Sequence, residues 1–154
     1  MDTMSAVRPT VHRPRRVTLT AGPAAAAQAR RQVRAAIVAW DVPVDPDIAV
    51  LLTSELVTNA LQHETGRTVT LTVTCVCDQL RVAVHDTSRR APVIVDAPAD
   101  AEAGRGLMLV AKLSTTWGYH RTAAGKAVYF TLMPPAGADG DDVHTPHGNR
   151  TWAR

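Results

Sequence analysis

Aromatic residues and cysteines are both scarce in this sequence. Aromatic side chains make up 4% of its 154 residues, with a single phenylalanine, and there are two cysteines. The hydrophobic core must therefore be built from Val, Leu, Ile and Ala. Cys75 and Cys77 alternate along one predicted strand, and no second cysteine pair or histidine cluster accompanies them. A zinc site is therefore not expected, and both thiols are expected to be reduced.

Long apolar runs are also missing, and so is any excess of charge in the central part of the chain. No segment reaches the roughly 18–20 apolar residues that a membrane span needs, and the Arg/Pro-rich N-terminus is not a signal peptide, so we expect a cytoplasmic location. The net charge of +3 arises within residues 1–17, which hold four arginines and one aspartate. A basic tail without a basic, aromatic-containing face or a known module does not predict direct nucleic-acid binding.

The length fits one domain with tails. We expect residues 1–15 to be a disordered basic arm, residues 16–133 to be the folded domain, and residues 134–154, rich in Pro, Gly and Asp, to be a disordered tail. The order of predicted elements is β-α-α-β-β-loop-α-β-β. This order is typical of the α+β class, as a two-layer sandwich with helices packed on one face of a mixed, mostly antiparallel sheet.

Local signals place the elements. A strand "RRVTLTA" ends at Gly22-Pro23, and a first helix follows over 24–40 with Ala24, Val33, Ile37 and Trp40 facing inward. A second helix over about 46–63 starts with Asp45 as N-cap and Pro46 in the first turn. Two hairpins are expected, "RTVTLTVTCVC" with "LRVAVHD" through Asp78-Gln79, and "TTWGYHR" with "KAVYFTLM" through the turn at residues 123–125.

The second helix contains the stretch "SELVTNALQH", in which Glu55, Asn59 and His63 are spaced i, i+4, i+8. At about 100° per residue they share a sector with the apolar residues Ile48, Leu51, Leu52 and Leu56. A carboxylate on an apolar face is costly unless something pairs with it. An Asn carbonyl suits Mg²⁺, and a Glu one turn earlier can accept a proton from an attacking hydroxyl. The alternative is a buried polar network that fixes the helix register.

Two further features could carry chemistry. Asp86 ends the strand "LRVAVHD", where it could read a base or serve only as a turn residue. The long segment after it, with Arg89 and Arg90, could be a lid, although these two arginines are better explained as solvated. The segment leads to Gly104-Arg105-Gly106 at the start of a third helix, "GRGLMLVAKLS". Glycines there let backbone N–H groups approach a phosphate, and an Arg can pair with one.

In this order and spacing, the motifs resemble the Bergerat ATP-binding fold of gyrase, heat-shock chaperones, sensor histidine kinases and mismatch-repair ATPases. The single-domain branch of anti-sigma-factor serine/threonine kinases is the most similar. The resemblance covers about residues 16–133. "SELVTNALQH" looks like the N box, "VHDTSRRAP" like the first glycine box and "GRGLMLVAKLS" like the second.

The resemblance implies ATP and Mg²⁺ as cofactors. Asn59 would then coordinate Mg²⁺, Glu55 would be the general base, and Asp86 would accept the adenine amine. The phosphates would be held at the start of the third helix by Gly104, Arg105, Gly106 and Leu107. The sequence departs from the family at Ser88, where the first glycine box has Gly.

The implied function is an ATP-binding regulator that phosphorylates a small antagonist protein and binds a sigma factor, with a homodimer left open and no membrane partner. The alternative is a catalytically silent nucleotide-binding regulator that acts by sequestering its partner. An acyl-CoA transferase, suggested by "AGRGLM", is disfavoured because its pyrophosphate loop should follow a strand, whereas a Pro/Ala-rich segment precedes this one.

Overall fold

The computed structural model describes residues 11–62, 68–88, 92 and 105–135. Within these described residues, the predicted order of helices and strands is confirmed. The strands and helices are β1 (Arg15–Thr20), α1 (Ala25–Trp40), α2 (Pro46–Gln62), β2 (Thr68–Val76), β3 (Gln79–Asp86), α3 (Arg105–Leu113), β4 (Thr116–Arg121) and β5 (Lys126–Leu132). His63, Arg89, Arg90 and Gly104, the segment between β3 and α3 except residue 92, and residues 1–10 and 136–154 lie outside the described residues.

The five strands form one sheet in the order β1-β2-β3-β5-β4. All four pairings between these strands are antiparallel, so the described sheet is antiparallel throughout rather than mixed. The connection between β1 and β2 explains why these two strands are antiparallel. Helices α1 and α2 have 16 and 17 residues, so they carry the chain out and back, and β2 begins opposite the end of β1 at Thr20↔Thr68.

The helices cover one face of the sheet, as expected for an α+β two-layer sandwich. Alternate residues of β2 are buried, and the core consists of aliphatic side chains from the strands and helices around the single phenylalanine, Phe130. The core side chains with 0% exposure include Leu19, Val33, Leu52, Leu71, Leu80, Val82 and Phe130. No helix within the described ranges is long and apolar enough to cross a membrane.

The inward faces of the first two helices differ from the predicted ones. In α1, Ala24 is exposed as the N-cap and the first buried position is Ala25. In α2, Leu51 is 40% exposed and Ile48 is half-buried, while the buried positions are Ala49, Leu52, Thr53, Leu56, Val57 and Ala60. The reason is that α2 packs against α1 as well as the sheet, which rotates its buried face away from Leu51.

The first hairpin turns one residue earlier than expected. Cys77 and Asp78 form the turn with φ values of 50° and 62°, the left-handed pair that a tight two-residue hairpin requires. Cys77 therefore lies in the turn and is exposed, so the prediction that it shares a strand face with Cys75 was wrong. Cys75 is buried, and its burial, followed by the charge of Asp78, raises the pKa of its thiol.

Candidate functional site

The chain path brings the ends of several elements to one end of the sheet. The start of β2 and the end of β3 lie there, since Thr70 pairs with His85, and so does the start of β5, since Asp86 pairs with Lys126. Helix α2 ends six residues before β2 begins, so its last turn is directed to this end. Helix α3 ends three residues before Thr116, and Thr116 pairs with Thr131 at the opposite end of the sheet. Because α3 ends near that opposite end, it begins near the end of the sheet that holds Asp86.

Helix α2 starts as its sequence indicates. The Oδ1 atom of Asp45 accepts the backbone N–H groups of Asp47 at 2.9 Å and Ile48 at 3.4 Å, which confirms the N-cap. From that start, the helix carries Glu55 and Asn59 into its last two turns. Both side chains are half-buried, so they lie at the margin of the apolar face rather than in its centre. Neither is therefore a deeply buried polar group, and both side chains keep part of their surface exposed.

The side chain of Asp86 is almost fully buried at the end of β3. It exposes 1% of its surface, and its Oδ1 atom accepts the backbone N–H of Ser88 at 2.9 Å. The same oxygen accepts a hydrogen bond from Nζ of Lys126 at 3.0 Å, and the Lys126 side chain is 6% exposed. Asp86 is thus a buried, paired carboxylate with a fixed orientation rather than a solvated turn residue.

Lys126 was not singled out from the sequence, although the sequence contains a signal for it. Residues 126, 128, 130 and 132 alternate along β5, and Val128, Phe130 and Leu132 all face the core. A lysine in phase with three core residues must bury much of its side chain and needs a buried acceptor. What the pattern could not show is that this acceptor is Asp86, which is 40 residues away in sequence.

Gly125 holds the β4–β5 turn against the chain just after β3. A Cβ atom built on Gly125 would lie 2.1 Å from the backbone oxygen of Asp86 and 2.6 Å from Cα of Thr87. The turn itself is closed by the N–H of Gly125, which donates to Oγ1 of Thr122 at 3.0 Å. The absence of a side chain at Gly125 therefore allows this close approach to the backbone of Asp86 and Thr87.

The predicted phosphate-binding residues divide into two groups. Arg105 and Gly106 are the first two residues of α3, as the glycine pattern predicted, so their backbone N–H groups belong to the first turn of that helix. Leu107 is 2% exposed and packs in the core, so its side chain is not available to a ligand. Helix α3 packs against α2 and β4, which fixes its direction relative to the end of α2.

His85, next to Asp86, has a charge state that is sensitive to its surroundings. Burial, and then the charges of Arg16, His120 and Arg81, lower the pKa of His85 below its ordinary value of 6.5, although Asp86 acts in the opposite direction. The unfolded chain therefore takes up this proton at a higher pH than the folded chain does. The contribution of His85 to stability is present above about pH 6.5 and is lost as the pH falls below that value.

We expect His85→Gln to reduce the acid sensitivity of folding. Chemical denaturation of parent and variant at pH 7 and pH 5 measures this, and the parent should lose more free energy of unfolding than the variant over that interval. An equal loss in the two proteins would contradict the assigned effect.

Comparison with known proteins identifies a family and a solved structure that share this architecture. A family model described as the histidine kinase-like ATPase domain matches residues 19–132. No curated protein is a significant match. A solved structure described as the RsbU and RsbW domains of Rv1364c from Mycobacterium tuberculosis has a TM-score of 0.59 and 21% identity, with 79% of this chain covered. This chain covers 32% of that protein, or about a third of its length, and the likeness shows a shared fold.

The family match includes all of α1, α2 and α3 and four complete strands, β2 to β5. It thus spans the end of the sheet at which Asn59, Asp86 and the start of α3 lie. The chain therefore belongs to the histidine kinase-like ATPase domain family.

Proposed function

We propose that this protein is an ATP-binding regulator of the anti-sigma-factor serine/threonine kinase type, with its nucleotide site at the end of the sheet where β3 ends and β5 begins. The observation that carries the proposal is the buried, oriented carboxylate of Asp86. It lies at the same sheet end as the last turns of α2, with Glu55 and Asn59, and the first turn of α3. Family membership and the fold shared with the RsbU and RsbW domain structure support it.

The described residues fit a nucleotide that brings its own metal ion. Within the described part of the chain there is no cluster of three or more His, Cys, Asp or Glu side chains that could hold a metal ion by itself. Mg²⁺ in nucleotide sites typically takes one or two protein oxygens and completes its shell with phosphates and water. The half-buried Asn59 can supply one such oxygen. Mg²⁺ would neutralise charge that develops on the phosphates.

The proposed reaction divides the work among the residues of this chain. Asp86 orients the base and the N–H groups at the start of α3 hold the phosphates, while Asn59 would hold the metal ion that the nucleotide brings. Glu55 accepts the proton of a Ser or Thr hydroxyl on the substrate protein. The oxygen of that hydroxyl bonds to the γ-phosphorus while the bond to the β,γ-bridging oxygen breaks, and ADP leaves with that electron pair.

The proposed partners are proteins. A small antagonist protein would be the phosphoryl acceptor and a sigma factor would be the regulated target. Neither nucleic acid nor membrane is required, because the proposed chemistry needs only an acceptor hydroxyl and a regulated protein surface.

The binding step is tested with the intact protein by isothermal calorimetry with ADP, with and without Mg²⁺. We expect Asn59→Ala to lower Mg²⁺-dependent affinity by roughly tenfold or more, because a metal site typically loses at least this much when a supporting group is removed. Thr58→Ala is the matched control, since Thr58 is the neighbouring residue on α2 and is exposed. Lack of ADP binding by the folded parent at millimolar ligand would overturn the proposal.

A second candidate is regulation by sequestration without catalysis. The observation in its favour is that Asp86 is already ion-paired and covered, and that Ser88 stands where the family has glycine. Incubation with γ-labelled ATP and candidate antagonist proteins separates the two functions. Label on a Ser or Thr of the antagonist supports the kinase, whereas partner binding without label supports sequestration.

A further inference from the structure

We propose that Lys126 is a second base-reading residue, which forms with Asp86 an adjacent donor and acceptor pair for the edge of adenine. This inference rests on the proposed nucleotide site. It adds to that site a specificity-determining cation on a different strand, whose position next to Asp86 is a product of the fold.

The register of the sheet brings the two side chains together. Lys126 is the cross-strand partner of Asp86, and Nζ lies 3.0 Å from Oδ1. Both side chains point to the helix-covered face, in phase with Val84 and Val128 on their own strands. The pair therefore lies between the sheet and the helices, where a ligand held by α2 and α3 would place its base.

The hydrogen-bond capacity of the pair is only partly used. A lysine ammonium has three N–H donors. Among the described residues, Nζ of Lys126 makes one hydrogen bond, to Oδ1 of Asp86. Oδ1 also accepts the N–H of Ser88, so both hydrogen bonds that described residues make to this carboxylate fall on one oxygen. Among the described residues, no partner is assigned to two donors on Nζ or to the acceptor Oδ2, on side chains that are 6% and 1% exposed.

Open donors and acceptors in such a location are costly unless a ligand or water completes them. The edge of adenine offers a complementary pair, because its exocyclic amine donates and its ring N1 accepts. Asp86 would accept from the amine through Oδ2 while Lys126 donates to N1. Hypoxanthine in the same pose presents a carbonyl oxygen to the carboxylate and an N1–H to the ammonium, so it is mismatched at both positions.

The test replaces one ring atom. ADP and 1-deaza-ADP, in which C–H replaces N1, are titrated into the parent and into Lys126→Met by calorimetry. We expect the affinity of the parent for 1-deaza-ADP to be lower than its affinity for ADP by about tenfold or more. The variant should bind the two ligands with equal affinity. Lys112→Met is the control, because Lys112 is exposed at the end of α3 and its loss should leave the parental ratio unchanged.

The outcomes separate a base-reading role from a structural one. If Lys126 has only a structural role, K126M should weaken the binding of ADP and 1-deaza-ADP by the same factor. An unchanged ratio of these two affinities therefore overturns the inference. Tighter ADP binding by K126M also overturns it, since the ammonium would then compete with the base. If the folded parent does not bind ADP, the proposed function fails together with this inference. That outcome is seen in the parent alone, whereas failure of the inference by itself is seen only when K126M is compared with a parent that binds ADP.

A second pair of variants guards against loss of folding in K126M, which leaves the buried Asp86 carboxylate without its partner. Asp86→Asn keeps an oxygen that can accept from Lys126, and the double variant D86N/K126M buries no charge at either position. Both proteins should bind either ligand more weakly than the parent, because the amide nitrogen of Asn takes the place of the acceptor Oδ2. We expect D86N still to prefer ADP over 1-deaza-ADP, and the double variant to lose this preference. Equal ratios in these two proteins would overturn the inference.

Discussion

Glu55→Gln is expected to remove phosphoryl transfer while nucleotide binding is retained. Glu55 lies one helical turn before Asn59 on α2, so the two side chains project in nearly the same direction. If Asn59 holds the metal ion on the phosphates, Glu55 is beside the attacking hydroxyl. General-base catalysis typically contributes about 10²–10⁴-fold, so transfer should fall by that factor.

The measurement is the rate of label transfer from γ-labelled ATP to the antagonist protein, alongside calorimetric ADP binding. Asp47→Asn is a matched control on the same helix, because it also converts a carboxylate to an amide, and Asp47 is exposed in the first turn. Parental transfer rates in E55Q would make Glu55 a structural residue. A parallel loss of ADP binding would instead assign Glu55 to the metal site. Gln is nearly isosteric and Glu55 is half-buried, so folding should be retained.

Gly125→Ala is expected to destabilise the protein strongly and to disturb the base-reading end of the site. Its Cβ would lie 2.1 Å from the backbone oxygen of Asp86, a separation at which the β4–β5 turn and the end of β3 must move apart. Because the obstacle is backbone and not a flexible side chain, the strain cannot be relieved by a rotamer change. Overpacking of this kind typically costs about 1–3 kcal/mol, and this contact should be at the upper end or above it.

Denaturant unfolding of G125A measures the loss of stability. ADP titration of the folded fraction measures the loss of affinity that a displaced Asp86 should cause. Ala124→Ser is the matched control, since Ala124 is exposed in the same turn and should change stability by about 0.5 kcal/mol or less. A G125A protein as stable as the control would show that the two backbone segments separate without cost.

The sequence by itself determined the local structure and the candidate motifs. Asp45 and Pro46 start α2 because an acceptor side chain and a fixed φ are local properties of those residues. Turn residues between apolar segments predicted the two hairpins, β2 with β3 and β4 with β5, because turn propensity is a local property of those residues. The order of E-x-x-x-N, Asp86 and the glycines at the start of the third helix predicted the family that the comparisons confirm.

The tertiary structure decided which side chains meet. The sequence placed Leu51 inside and treated Glu55 as buried, but the packing of α1 against α2 sets the buried face and leaves Leu51 exposed and Glu55 half-buried. Strand β5 pairs with β3, and only this pairing puts Lys126 opposite Asp86. Burial and contact across 40 residues depend on strand order and register, which result from the packing of the whole domain and not from a local pattern.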